Sequence, residues 1–396
     1  MNAQEKNFSM LAFIKEICED IGPRLGTTEN EKKAGLRIKE ILEKQVDKVE
    51  MEDFTCHPKG FLEFTKVAWF SGLIGLLLFL WLPLISMLLC FYAITTFVFE
   101  FLMGKEYVDF LFSKRKGTNV IGKMNAEKEA KKVVIISGHH DSAYEFPLFE
   151  KFKHKFDKLA YGVAGLLLFS AIAGLIKFIL DVLSISNLIT NIILISIPFV
   201  TIFAGGYVAF GLHSKKVILG ANDNLSGVAV VLALAHHFSS QRLNNIELWL
   251  ISFSCEECMR GSKRFVKRHF DELQANSYTI NFDMVGRGAG GLAIISAEPA
   301  YLVKHDMDLA LEFQKSSKNA NMALPIEVLG FGGSDAACFS RKGLKAISIF
   351  ALTPENYPDT WHELADTPEF IEEDKLEATL KITIQFLKDL DASLIK

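Results

Sequence analysis

The sequence predicts an α/β protein: a three-layer α/β/α domain around a mostly parallel, mixed central sheet, carrying two inserted apolar helical hairpins. Two observations lead there. Strand-like apolar runs alternate with helical ones over most of the chain, which is the pattern of a largely parallel sheet covered on both faces. Two long apolar blocks, 67–99 and about 159–210, then fall inside that pattern instead of at either end. Composition agrees with the second point, since half of the 396 residues are hydrophobic and the mean hydropathy is +0.23. A net charge of −4 has the wrong sign and size for a nucleic-acid binder.

In chain order, Met1–Asn7 is polar without an apolar stretch, so no cleavable signal peptide is expected. Ala34, Ile38, Ile41, Leu42 and Val46 recur at helical spacing and predict an amphipathic helix over 30–46. Residues 48–55 read as a strand. Residues 67–99 contain no formal charge over 33 positions, with Pro83 in the middle. That is long for one membrane span and short for two. The flanking segments 48–55 and 119–137 both read as strands of one sheet and belong on one side of a membrane. The number of crossings is therefore even, and the block is expected to be a tight hairpin broken near Pro83. The second block splits into Leu159–Ile176 and Leu188–Phe210, separated by Lys177, Asp181 and a Ser/Asn-rich link. About four transmembrane helices result. The expected partition is a single α/β domain in three pieces, 1–60, 105–158 and 213–396, with insertions at 61–104 and 159–212. Its remaining strands are expected at Val133–Ser137, Ile246–Ser254, Tyr278–Asp283, Leu292–Ser296 and Leu344–Phe350. Its remaining helices are expected over 226–239, 261–275 and 372–391.

The residues that carry chemistry sit at the ends of these elements. Asp223 lies in the turn Gly220-Ala221-Asn222-Asp223-Asn224-Leu225-Ser226-Gly227, directly before the apolar helical run Val228–Phe238. Ser226 is placed to cap that helix. A carboxylate there has two oxygens and is able to bridge two metal ions. His139 and Asp141 follow the Val133–Ser137 strand two residues apart, so an extended chain points them to one side. Glu256 and Glu257 end the strand Ile246–Ser254, where two adjacent acids are costly unless paired or metal-bound. Asp283 closes another apolar strand, and His362 lies in a loop before the last helix. Open α/β sheets place their sites beyond the carboxyl ends of the strands, and two His with three carboxylates suit zinc with positions left for water.

The six cysteines are scattered and one of them, Cys90, lies within an apolar block. They form no disulfide framework and suit a reducing compartment. Cys255-Glu256-Glu257-Cys258 has redox or zinc spacing, but no second Cys pair or suitably placed His accompanies it.

Taken as a set, His139-His140-Asp141-Ser142, Gly220-Ala221-Asn222-Asp223-Asn224-Leu225-Ser226-Gly227, Glu256-Glu257, Asn281-Phe282-Asp283-Met284-Val285-Gly286 and the late loop Asp359-Thr360-Trp361-His362 resemble peptidase family M28, the dizinc aminopeptidases. Ile21-Gly22-Pro23-Arg24 resembles the family's N-terminal region. The likeness runs over about 8–60, 117–146 and 214–396. It implies two zinc ions, one held by His139 and Asp283 and the other by Glu257 and His362, with Asp223 bridging. It makes Glu256 the general base and Asp141 the partner that orients His139. It implies a peptide substrate and the removal of N-terminal residues by a metal-activated bridging water. Cys258 stands where the family usually has Gly, and Ala336 where it often has His. Neither position is a ligand in the family, so these departures bear on substrate preference. Two other readings follow from the same resemblance: a glutaminyl-cyclase-like acyltransferase using one zinc, and a non-catalytic membrane scaffold on a peptidase fold. The complete ligand set argues against both.

Lys59, Lys66, Lys105, Lys114, Arg115, Lys116, Lys151, Lys153, Lys155, Lys158, Lys215 and Lys216 flank the apolar blocks on the side of the α/β domain. The far side has only Lys177, with Asp181 close by. Basic residues beside membrane spans are retained inside. The expectation is a multi-pass protein of the cell membrane, embedded in the lipid bilayer, with its peptidase domain in the cytoplasm.

Overall fold

The computed structural model describes residues 8–274 and 276–395. The reading of Met1–Asn7 lies outside them, as does Ala275 at the end of the helix expected over 261–275. The chain divides into two compact units. One comprises the chain through Cys56, Lys114–Glu145 and everything from Lys215 on; the other comprises His57–Ser113 and Phe146–Ser214.

The first unit is built on a nine-stranded sheet. Its strands are β1 (Lys48–Cys56), β2 (Arg115–Met124), β3 (Lys132–His139), β4 (Ile246–Phe253), β5 (Ser277–Phe282), β6 (Gly291–Glu298), β7 (Val303–Lys304), β8 (Ile326–Val328) and β9 (Lys345–Leu352). They run in the order β1-β2-β4-β3-β5-β9-β6-β7, with β8 paired to β6. The four central strands β4, β3, β5 and β9 are parallel. β1 and β2 on one flank and β6 on the other join antiparallel.

Alternation along the central strands makes the three layers, because successive side chains leave a strand on opposite faces. Val134, Ile136, Leu248, Leu250, Ile280, Phe282, Ile347 and Ile349 point into one apolar core shared with helices Met10–Asp20, Glu29–Leu42, Ser226–Ser240, Met307–Asn319 and Glu373–Ser393. On the other face, Trp249 and Phe253 pack edge-on against Phe265 of helix Gly261–Leu273. Phe339 of helix Asp335–Ser340 closes on the same ring cluster. Helix Ser226–Ser240 is buried on nearly every side. That is why its sequence is almost uniformly apolar instead of striped.

The second unit holds four helices long and apolar enough to cross a membrane: Pro58–Leu78, Pro83–Leu102, Pro147–Val182 and Leu188–Gly211. The first hairpin is longer than its charge-free stretch. Its leading helix starts at Pro58 and takes in Glu63 and Lys66, which are tolerated because they pair with each other at 2.6 Å. His213 stands 3.5 Å from Glu63 as well. Both arms thus reach full span length, and the proline break is where the sequence places it, at the start of the second arm. Lys177 and Asp181, expected in the link, are instead inside the helix Phe156–Val182. They stand one turn apart and form an ion pair of 2.5 Å, so the helix continues through them.

The side-chain distribution of this unit is inverted relative to the first. Large apolar groups such as Leu77, Trp81, Phe91, Phe169, Leu188 and Phe203 are exposed, while Ser71, Ser86, Ser170 and Thr201 are buried between helices. Ser71 Oγ donates to the Leu89 carbonyl at 2.8 Å and Ser170 Oγ meets Thr201 Oγ1 at 2.8 Å. Small residues set the helix approach: a Cβ on Gly174 meets the Pro83 carbonyl and the Met87 amide at 3.1 Å. Small residues and interhelical hydroxyl bonds are what hold helices together when both sides are equally apolar.

Candidate metal centre

β3 ends at His139, β4 at Phe253 and β5 at Phe282, all at the carboxyl edge of the parallel strands. The chain there turns in three places and delivers Asp141, Glu256, Glu257 and Asp283 to one point. The turn Gly220–Leu225 brings Asp223, and the loop after β9 brings His362. The seven residues named from sequence are therefore brought together, six of them buried and Glu257 with its side chain nearly covered.

The geometry has two overlapping groups. Donor atoms of His139, Asp223 and Asp283 lie within 4.8 Å of one another, and so do those of Asp223, Glu257 and His362. Asp223 belongs to both. Its Oδ1 is 3.3 Å from His139 Nε2 and its Oδ2 is 3.4 Å from His362 Nε2. His139 Nε2 is 3.8 Å from Asp283 Oδ1, and His362 Nε2 is 3.0 Å from Glu257 Oε2. Glu256 stands outside both groups, with Oε2 3.7 Å from His139 Nε2.

Asp141 does more than face its histidine. Its Oδ1 is 3.3 Å from His139 Nδ1 and accepts the Glu256 amide at 3.0 Å, while Oδ2 accepts the Glu257 amide at 3.2 Å. One carboxylate thus fixes the ring of His139 and the backbone under both glutamates. Such outer partners set the orientation of metal-binding histidines.

The expected cap is corrected. Ser226 is the first residue of its helix and makes no capping bond. Its Oγ donates to the Asn222 carbonyl at 2.6 Å and accepts the Val285 amide at 3.1 Å. Asn224 takes the capping part: its Oδ1 accepts the Gly227 amide at 3.0 Å and the Met284 amide at 3.3 Å, and its Nδ2 donates to the Phe282 carbonyl. The reason is register, because the helix begins at Ser226 itself, earlier than the capping reading allows.

Three supports were not readable from the sequence pattern. Asp366 accepts the amides of Asn222 and Asp223 at 2.7 and 3.0 Å and so holds the backbone of the bridging position. Arg24 is fully buried and donates to the carbonyls of His140, Leu219 and Gly220. It thereby ties the histidine turn to the Asp223 turn. Gly220 is required there: its φ is +63°, and a Cβ would press into Ser142 Cβ at 2.8 Å and Arg24 Nη2 at 3.0 Å. Glu31 accepts Ser254 Oγ at 2.6 Å and the Cys255 amide at 3.0 Å, anchoring the loop that presents the glutamates.

Charge in the pocket is heavily one-sided. Burial pushes Glu257 well above the usual carboxylate range, with Asp223, Asp141 and Asp283 adding and His139 opposing. Burial pushes Asp283 up to about 6 although His139 opposes it. Burial drives His362 down to about 4. Burial also works against a charged His139, but Glu256, Asp141, Asp223 and Asp283 together hold it well above its ordinary value. Asp223 Oδ2, Glu256 Oε1 and Glu257 Oε1 are buried and make no hydrogen bond. Several acids packed together, with lone pairs unused, are expensive. A cation resolves both costs, and the nitrogen and oxygen donors are those zinc accepts. The residues present fit the metal.

The resemblance to peptidase family M28 holds in sequence and in fold. The model of that family, described as Peptidase family M28, matches residues 203–387. The match contains Asp223, Glu256, Glu257, Asp283 and His362, while His139 and Asp141 lie ahead of it. The structure of BSAP, a zinc aminopeptidase from Bacillus subtilis, is similar with a TM-score of 0.58 at 15% identity over 98% of this chain and 96% of that one. An aminopeptidase from Aneurinibacillus sp. strain AM-1 gives 0.57 at 16% identity, covering 96% and 94%. A Bacteroides thetaiotaomicron glutaminyl cyclase bound to N-acetylhistamine gives 0.55 at 16% identity, covering 96% of each. No curated protein matches the chain. The protein therefore has the mixed α/β fold of the M28 zinc peptidases, a fold also used by glutaminyl cyclases.

Proposed function

We propose that this chain is a membrane-embedded aminopeptidase that uses two zinc ions. The observation that carries the reading is the sharing of Asp223 between two three-residue groups. His139 and Asp283 would hold one ion and Glu257 and His362 the other, and Asp223 would serve both. Zinc so held supplies Lewis-acid polarisation of a peptide carbonyl and lowers the pKa of a water.

The chain's own residues supply the rest. Asp141 keeps His139 Nδ1 engaged, which leaves Nε2 directed at the carboxylates. Glu256 is the proton carrier. Burial raises its carboxyl well above the ordinary range, His139 opposes this, and Asp335, Asp283 and Glu257 reinforce it. A raised carboxyl pKa brings a general base closer to neutrality, where proton transfer in both directions is effective. Its carboxylate takes a proton from the attacking water, and that proton passes to the leaving amine nitrogen as the carbonyl–nitrogen bond breaks.

The test uses the full chain, purified in detergent, with peptides that have a free N-terminus and their N-acetylated copies. Stepwise loss of N-terminal residues from the free peptides alone is expected. Equal cleavage of the acetylated copies, or release of ammonia from N-terminal glutaminyl peptides without hydrolysis, would overturn the reading in favour of an endopeptidase or a cyclase.

The inverted side-chain distribution of the four-helix unit supports membrane embedding, and the excess of Lys and Arg beside the spans supports a cytoplasmic peptidase unit. Added protease is expected to leave that unit intact in whole cells and right-side-out vesicles, and to cleave it only after lysis. Digestion before lysis would place it on the opposite side.

A further inference from the structure

A second cluster of metal-binding side chains lies beside the first. Cys56 ends β1, and Cys255 and Cys258 flank the two glutamates. Far apart in sequence, their three sulfurs lie within 4.8 Å of one another and all three residues are buried. The sequence showed two of the three members, because the third sulfur comes from the end of a distant strand. Three sulfurs around one ion at metal–sulfur distances of about 2.3 Å stand roughly 3.8 Å apart, so the cluster closes on an ion with small side-chain adjustments.

We propose that Cys56, Cys255 and Cys258 form a separate three-thiolate site for a soft cation such as zinc or copper(I). Soft thiolate ligands select such ions, while the neighbouring histidine and carboxylate groups suit a harder set. On binding, each thiol releases its proton and forms a sulfur–metal bond. One fixed positive charge stands close by. Arg260 is fully buried and its Nη1 donates to the Cys258 carbonyl at 2.9 Å. Ser254 Oγ lies 3.4 Å from Cys255 Sγ. Glu31 Oε1 accepts Ser254 Oγ and the Cys255 amide and, at 3.7 Å, the Cys255 thiol, a contact the thiol gives up when its proton leaves. The backbone is bent to converge the sulfurs: Cys255 has φ +57° and Met259 +56°, a region non-glycine residues seldom occupy.

The consequence is mechanical. Glu256 and Glu257 lie between two of the ligands, so an ion there fastens the segment carrying them to the end of β1. The three cysteines are positioning residues for the neighbouring centre. The site stands on its own sulfurs and does not depend on the peptidase reading.

Cadmium titration of the reduced, full-length protein in detergent tests this. Sulfur-to-cadmium charge transfer absorbs in the ultraviolet, and nitrogen or oxygen ligands give no such band. The wild-type protein is expected to develop the band and saturate it at one equivalent. Cys56→Ser is expected to lose it, and Cys338→Ser, which alters a buried cysteine outside the cluster, to keep it. Absence of the band in the wild type, or its persistence in Cys56→Ser, would overturn the site. Should Cys56→Ser not fold, X-ray absorption at the cadmium edge of the wild type decides: three sulfur neighbours support the site and an all-nitrogen/oxygen shell refutes it. Loss of peptidase activity with the band intact would count against the proposed function alone.

Discussion

Glu256→Gln is expected to abolish peptide hydrolysis, with a fall in kcat of about 10²–10⁴-fold, the range general acid–base catalysis supplies, while metal content stays at the wild-type level. The separation of the two readouts is the point. Glu256 lies 3.7 Å from His139 but belongs to neither ligand group. Its backbone is held through the Asp141 carboxylate and not through its own side chain, so the amide should sit where the carboxylate did. What is lost is the ability to accept a proton. Turnover within a few-fold of wild type would show that the proton goes elsewhere. Loss of metal together with activity would place Glu256 among the ligands.

Asp223→Ala is expected to empty both positions at once. Each of its oxygens faces a different histidine, at 3.3 and 3.4 Å, so truncation removes one donor from each group. Without it, His139 and Asp283 remain on one side and Glu257 and His362 on the other, two donors each, where structural and catalytic zinc sites use three or four. Metal analysis after dialysis should show both equivalents falling together. Tight retention of one would mean that the carboxylate serves a single ion. A melting measurement belongs beside this one, because the Asp223 amide is held by Asp366 and the turn should survive truncation of the side chain.

How far the sequence led depends on whether the relevant interaction is local. The α/β architecture was legible because strand and helix periods are carried by neighbouring residues; His139, Glu257 and Asp283 could be marked because each follows an apolar strand, Asp223 because it precedes an apolar helix, and His362 by its loop before the last helix. Ser226 was assigned a cap that Asn224 performs, since capping depends on where the turn closes, and pattern fixes an element's end only to within a residue or two. The extent of the first hairpin was understated because Glu63 and Lys66 read as the end of an apolar run when taken singly, but neutralise each other when one helical turn apart. Lys177 and Asp181 were misread for the same reason. Asp366, Arg24 and Glu31 act on backbone groups far away in the chain, and backbone groups leave no mark in a sequence. Cys56 joins Cys255 and Cys258 only because β1 pairs with β2, and β2 with β4.

The three-piece construction of the α/β unit bears on the order in which the protein is made. β1 emerges before the first hairpin, its partner β2 after it, and β4, which joins β2 to the central strands, only after the second. Domains fold as units while synthesis proceeds from the N-terminus, and pairings that span long stretches of chain wait for their loops to close. All four apolar helices are therefore synthesised before the sheet is able to close, and His362 reaches the pocket last. A growing chain has no assembled candidate metal centre until its apolar segments have left the ribosome.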